Sequence, residues 1–170
     1  MNGTRTGGLS IRRAETVDAA RIAEIFNEGV DDRVATFETG AAGPADAEVW
    51  IAEDIVVVAE RDGVLVAWAK AGPYTDRHDY YAGVREATMY VARDARRTGI
   101  GHELLAALAE ASAQEGAHKL VGKVFTSNQP SIALLKGLGW REVGVHLRHG
   151  TLDGEWKDVL VVEKLLHQPD

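Results

Sequence analysis

Arg96-Arg97-Thr98-Gly99-Ile100-Gly101 decides how the rest of the chain is read. An apolar, β-branched run ends just before it at Val91, and a helical pattern begins just after it near His102. The expected order is therefore strand, tight turn, helix start. The glycines let the backbone come close to a ligand and take φ values that other residues avoid. The first N–H groups of a helix have no internal partner, and the helix dipole behind them favours an anion. Arg96 and Arg97 add positive charge at the mouth. Together with the backbone from Thr98 through Gly99, Ile100 and Gly101 to His102, they read as a cradle for a pyrophosphate. A dinucleotide fingerprint does not fit, because Leu104 stands where its third glycine belongs. A P-loop does not fit either, because no Gly-Lys-Ser/Thr closes the run.

On the strand before the cradle, Glu86, Thr88 and Tyr90 share one face, since side chains alternate along a strand. An acid there stands beside whatever the cradle holds. After the cradle, Leu104, Leu105, Leu108 and Ala111 lie on one helical face as far as the stop at Gly116. Leu120 to Phe125 reads as a strand. Asn128 heads the next helix, with Pro130 in its first turn, and that helix ends near Leu138-Gly139. Strands are expected over Trp140 to His146 and Trp156 to Leu165, with Gly150 to Gly154 as the turn.

Towards the N-terminus, Leu9 to Ala14 reads as a strand and Thr16 as the cap of a helix stopping near Gly29. Asp31 to Phe37 is irregular, and Ala45 to Ala52 is a second helix. Ile55 to Ala59 and Val64 to Ala71 are strands joined by the hairpin signal Asp62-Gly63. Gly72 to Ala82 is a polar and aromatic loop with Tyr74, Arg77, His78, Tyr80 and Tyr81. The order β, α, α, three strands, α, β, α, two strands predicts a mixed α/β domain over residues 9–166, with residues 1–8 as a polar tail.

A chain of 170 residues with 45% hydrophobic and 26% charged residues is long enough for one sizeable core. The net charge of −7 argues against a general nucleic-acid or membrane surface. There are no cysteines, which removes disulfides, thiolate metal sites and cysteine nucleophiles. Neither a secretory leader nor a membrane span is legible, so a cytoplasmic location is expected. His146 and His149 form an H-x-x-H pair without the further ligands that a metal site needs, so they read as surface histidines and no metal is expected.

The cradle matches Arg/Gln-x-x-Gly-x-Gly/Ala, the acetyl-CoA signature of the GNAT N-acetyltransferase superfamily, and the element order resembles that fold. Glu86-Ala87-Thr88-Met89-Tyr90-Val91 and Gly154-Glu155-Trp156-Lys157-Asp158-Val159 resemble motifs of its phosphinothricin acetyltransferase group. The aromatic loop resembles that group's substrate loop, and Thr36-Phe37 matches it loosely. The resemblance implies transfer of an acetyl group from acetyl-CoA to the primary amine of a small amino acid or analogue. Glu86 would be the general base. The backbone of Met89, Tyr90 and Val91 would align the pantetheine arm, with Asn128 and Ser131 beside it. Phe37, Tyr74, Arg77 and Tyr80 would hold the acceptor, Arg77 by clamping its carboxylate. Leu135 stands where many relatives carry the tyrosine that protonates the departing thiolate. A homodimer is also implied, with Trp140 and Trp156 as candidates for its apolar contact. Two other readings remain: an acyl-CoA-sensing module without catalysis, and an acetyltransferase acting on protein N-termini or lysines.

Overall fold

The computed structural model describes residues 8–76 and 78–166. The elements are β1 (Leu9–Arg13), α1 (Ala19–Asp32), α2 (Pro44–Glu53), β2 (Ile55–Arg61), β3 (Val64–Pro73), β4 (Val84–Val91), α3 (Ile100–Gln114), β5 (Lys119–Phe125), α4 (Gln129–Gly137), β6 (Arg141–Leu152) and β7 (Glu155–Leu165). The seven strands form one sheet in the order β1-β2-β3-β4-β5-β7-β6. All neighbours are antiparallel except β4 and β5. The mixed α/β class and the order of elements agree with the sequence reading. The expected tail falls outside the described residues except for Gly8.

The two faces of the sheet are written into β3. Ala67, Ala69 and Ala71 are fully buried and alternate with Trp68. The alanines let α3 come close, and α3 closes that face with Ile100, Leu104 and Leu108. Trp68 points the other way and stacks on Trp50 of α2 and Tyr90 of β4, with ring centroids 5.4 and 5.1 Å apart. Phe26 of α1 meets the rings of Trp50 and Tyr90 at 5.3 and 5.2 Å. Each such pair adds about 0.5–1.5 kcal/mol beyond the area it buries. This stack also fixes the register of β4, because a slip of one residue would put Met89 where Tyr90 stands.

Several boundaries differ from the sequence reading. Helix α1 does not stop at Gly29 but runs to Asp32. Gly29 is a packing residue: a Cβ there would lie 2.7 Å from the Tyr90 ring. The N-terminal cap is not Thr16 either. Asp18 accepts the N–H of Glu15 at 2.8 Å and takes the Arg12 guanidinium through both oxygens at 2.8 and 2.9 Å. Gly72-Pro73 belongs to β3 and not to the loop. Helix α3 starts at Ile100. Strand β6 continues to Leu152, so Gly150 lies within it and the turn is Asp153-Gly154, both at positive φ. The sequence signal at Gly150 came from a break in the β6–β7 register between His146 and Gly150, not from a chain reversal.

Candidate active site

Strand β4 pairs with β3 from Arg85 to Val91, but with β5 only from Val84 to Glu86. Beyond Glu86 the two parallel strands part. The β5-facing backbone of Ala87 to Val91 is left without a strand partner. The gap opens into an inner cavity of about 100 Å³ lined by Thr88, Gly122, Lys123, Asn128, Leu135 and Trp140, among others. It continues into a cleft of about 440 Å³ bounded by Met89, Arg96, Gly99, His102, Ser131 and Leu134, among others.

The outer end of the cleft is the sequence-predicted cradle. Gly99 sits at φ 83° immediately before α3, and no side chain caps this helix. The left-handed conformation suits glycine, and a Cβ there would meet nothing within 4 Å, so the requirement at Gly99 is conformational. The uncapped N–H groups and the dipole of a 15-residue helix face the cleft. Gly101 has a different role. A Cβ there would lie 2.9 Å from Leu134 and 3.1 Å from Met89, so this glycine lets α3 pack beneath the cleft.

Arg96 is less free than its sequence position implied. Its Nε donates to the Val91 carbonyl at 3.1 Å, and its guanidinium pairs with Asp32, which also takes Arg93 at 2.8 Å. The hydrogen bonds from Arg93 and then Arg96 hold the Asp32 carboxyl below the usual range. Thr98 Oγ1 donates to the Ala95 carbonyl at 2.6 Å and accepts from Arg61 at 3.1 Å. Arg97 is exposed at φ 61°. Helix α4, on the opposite wall, is capped by Asn128, whose Oδ1 accepts the Ser131 N–H at 3.4 Å.

Where pairing of β4 with β5 stops, Glu86 Oε2 accepts a hydrogen bond from Lys123 Nζ at 3.2 Å, and of the two only Lys123 lines the inner cavity. Lys123 also reaches Thr75 Oγ1 at 3.3 Å. Glu86 and Lys123 lie on the same face of the sheet, because Glu86 is in register with Val121. The Thr88 hydroxyl is buried and meets no partner among the described residues. Burial raises the pKa of the Tyr90 phenol, against a lowering hydrogen bond with Thr36. Its ring serves the core, while its backbone faces the cleft.

Phe37 lies on Phe125 with centroids 4.7 Å apart, and a Cβ on Gly150 would lie 2.8 Å from its ring. The α1–α2 loop that carries Phe37 is held by Asn27, which exchanges two hydrogen bonds with the backbone of Ala42. Tyr74 packs on Tyr81, and Tyr81 on Tyr80, which stacks on His78. Tyr80 is 72% exposed and lines neither cavity. Arg77 lies outside the described residues. Trp140 is 5% exposed and lines the inner cavity, so it has no area to give to a dimer. Lys123, Thr75 and Asp32 were not singled out from the sequence. The signal for Lys123 was there, as a charge inside the otherwise apolar run Leu120 to Phe125.

The residues fit acetyl-CoA on three observations among the described residues: an uncapped helix start, a strand edge without a partner, and a buried hydroxyl without one. The chain is correspondingly similar to known proteins. The profile of the Acetyltransferase (GNAT) family matches residues 22–140, and the chain belongs to that family. It is an acetyl-CoA-dependent N-acetyltransferase. Among individual proteins, it is 30% identical over 159 residues to a phosphinothricin N-acetyltransferase of Streptomyces viridochromogenes, covering 89% of this chain and 84% of that one. It is 29% identical to the L-amino acid N-acyltransferase MnaT of Escherichia coli, over 94% and 95% of the two chains. The structure of yncA from Salmonella typhimurium, solved with its cofactor acetyl-CoA, superposes with a TM-score of 0.89 at 25% identity, over 95% and 96% of the chains.

Proposed function

We propose that this protein acetylates the primary amine of a small amino acid or an analogue of the phosphinothricin or methionine sulfoximine type. The observation that carries the reading is the parting of β4 from β5 at Glu86, which leaves this carboxylate 3.2 Å from Lys123 of the inner cavity. The acyl donor supplies a thioester whose C–S bond breaks as the new C–N bond forms. Glu86 takes a proton from the acceptor's ammonium, directly or through water, and makes it a nucleophile. A backbone N–H of Met89 to Val91 donates to the acetyl oxygen as negative charge builds there. The first turn of α3, with Arg96 and Arg97, holds the pyrophosphate, and Asn128 and Ser131 border the pantetheine arm. Leu135, buried on the inner wall, has no proton for the departing thiolate. A thiol with a reference pKa of about 8.5 needs little help, and water can supply the proton.

Phe37 and Tyr74 border the acceptor, with Tyr80 at the outer edge of the aromatic loop and Arg77 serving an anionic group of the acceptor. Residues 9–166 act as one catalytic domain in the cytoplasm, where acetyl-CoA is made and used. The exposed edge strand β6 supports a homodimer, with Val143, Val145 and Leu147 at 50%, 48% and 76% exposure and Trp156 of β7 at 61%. The deciding experiment is a panel of amino acids and analogues assayed for acetyl-CoA-dependent thiol release. Turnover of amino acids is expected; thiol release with no acceptor in the panel would overturn the reading. Sedimentation at micromolar concentration tests the dimer, and a monomer there removes it.

A further inference from the structure

Two lysine–carboxylate pairs stand on the same face of the sheet, and they differ in kind. Lys70 bonds Asp54 at 2.6 Å, Asp54 is 6% exposed, and Lys70 lies over the Trp50 ring. That pair is packed into the protein. Lys123 and Glu86 are 3.2 Å apart, with side chains 39% and 26% exposed, and Lys123 lines the inner cavity. A pair this open to water contributes about 0–1 kcal/mol to stability. It holds the fold together weakly and gives way to competing charges at little cost. A lysine beside the general base also presents a difficulty, since the acceptor's ammonium must reach the oxygen that Lys123 occupies.

An α-amino acid resolves that difficulty, because it carries an ammonium and a carboxylate on one carbon. We propose that its zwitterionic head replaces the Glu86–Lys123 ion pair. The acceptor's ammonium takes the place of Lys123 Nζ at Glu86, and its carboxylate takes the place of Glu86 at Lys123. Thr75 Oγ1, 3.3 Å from Lys123 Nζ, steadies the lysine when its partner is exchanged. Both charges of the protein stay paired before and after the exchange, so no charge is left desolvated and alone. A simple amine repairs only Glu86 and leaves Lys123 without an anion. Lys123 is thus a substrate-binding residue that selects amino acids over amines. This rests on the reading that the acceptor is an amino acid.

The test compares the best amino acid of the panel with the amine that its decarboxylation gives, in wild type, Lys123→Met and Lys123→Arg. The quantity read is the preference, the ratio of the two kcat/KM values. Lys123→Met should lower it about tenfold or more, through KM for the amino acid, which is the scale of a hydrogen bond to a charged group. Lys123→Arg should keep most of it, and thermal midpoints should agree among the three proteins. A ratio that stays constant while kcat falls equally for both acceptors would make Lys123 a positioning residue for Glu86 and overturn the proposal, leaving the amino-acid reading intact. An unchanged ratio with unchanged rates overturns it as well. A wild type that acetylates amines but no amino acid overturns both.

Discussion

The outer end of the cleft is made of main chain, and the inner end of side chains. At the outer end, the start of α3 has no cap and the edge of β4 has no partner, so N–H and C=O groups are what a ligand meets. At the inner end, Lys123 of β5 lines the cavity and meets Glu86 of β4 and Thr75 of the loop after β3. The proposed function accounts for the contrast by what each end would bind. A pyrophosphate and a pantetheine arm are constant features of the acyl donor, and backbone groups recognise them whatever the side chains are. The acceptor is what distinguishes one such enzyme from another, and side chains are the part of a chain that varies. Substitutions at the inner end should therefore change rate and acceptor preference, and those at the outer end donor binding and stability.

Glu86→Gln makes the sharpest break. The amide keeps the shape and loses the basicity, so kcat should fall by about 10²–10⁴ while affinity for CoA holds. Raising the pH should recover part of the loss, since more of the amine is then already deprotonated. A pH–rate profile of the two proteins on one amine decides the matter. Near-wild-type kcat at neutral pH in the variant would remove Glu86 as base.

Gly101→Val tests the main-chain end. Its Cβ would press on Leu134 and Met89, both of which line the cleft. Overpacking of this kind costs about 1–3 kcal/mol. Denaturant unfolding should show that loss, and calorimetry should show weaker CoA binding. Gly99→Ala is its partner experiment. No atom obstructs the new methyl, so a cost of about 1–2 kcal/mol would be that of the left-handed backbone alone. Unchanged CoA affinity in both variants would take the pyrophosphate away from this turn.

Asn128→Ala removes the cap of α4 and should cost about 1 kcal/mol of stability. If Asn128 also borders the pantetheine, KM for acetyl-CoA should rise with little change in acceptor preference. A change in preference without a change in KM for acetyl-CoA would put Asn128 on the acceptor side and blur the division.

Asp32→Asn should have the smallest effect, and one that depends on pH. The Asp32 pKa is depressed in the folded protein by Arg93 and Arg96. Its contribution is therefore present above the unfolded carboxylate pKa and lost as pH falls through the folded value. Wild type and Asp32→Asn should differ in thermal midpoint at neutral pH and converge as the pH falls below the usual carboxylate range. A difference that persists in acid would mean that packing, not charge, ties α1 to the cradle.

Much of this arrangement was legible in the sequence because its signals are local. Asp62-Gly63 specified a hairpin on its own, and both residues take positive φ as such a turn requires. Arg96 to Gly101 announced a tight turn and a helix start, because the glycines and the run of apolar positions lie within a few residues of one another. Alternation placed Glu86, Thr88 and Tyr90 on one face without knowledge of what covers it. What the sequence could not tell was settled by contacts between distant segments. Gly29 looked like a helix stop, yet the Tyr90 ring, sixty-one positions away, is what requires a glycine there. Trp140 looked available for an interface, and the parting of β4 from β5 instead draws it into the wall of the cavity. Lys123 met Glu86 only when two strands separated in sequence by α3 came to lie in parallel. Local pattern determines what each segment can become, because propensity and alternation act over a few residues. Which charges face each other across a gap between strands is decided only when the sheet closes.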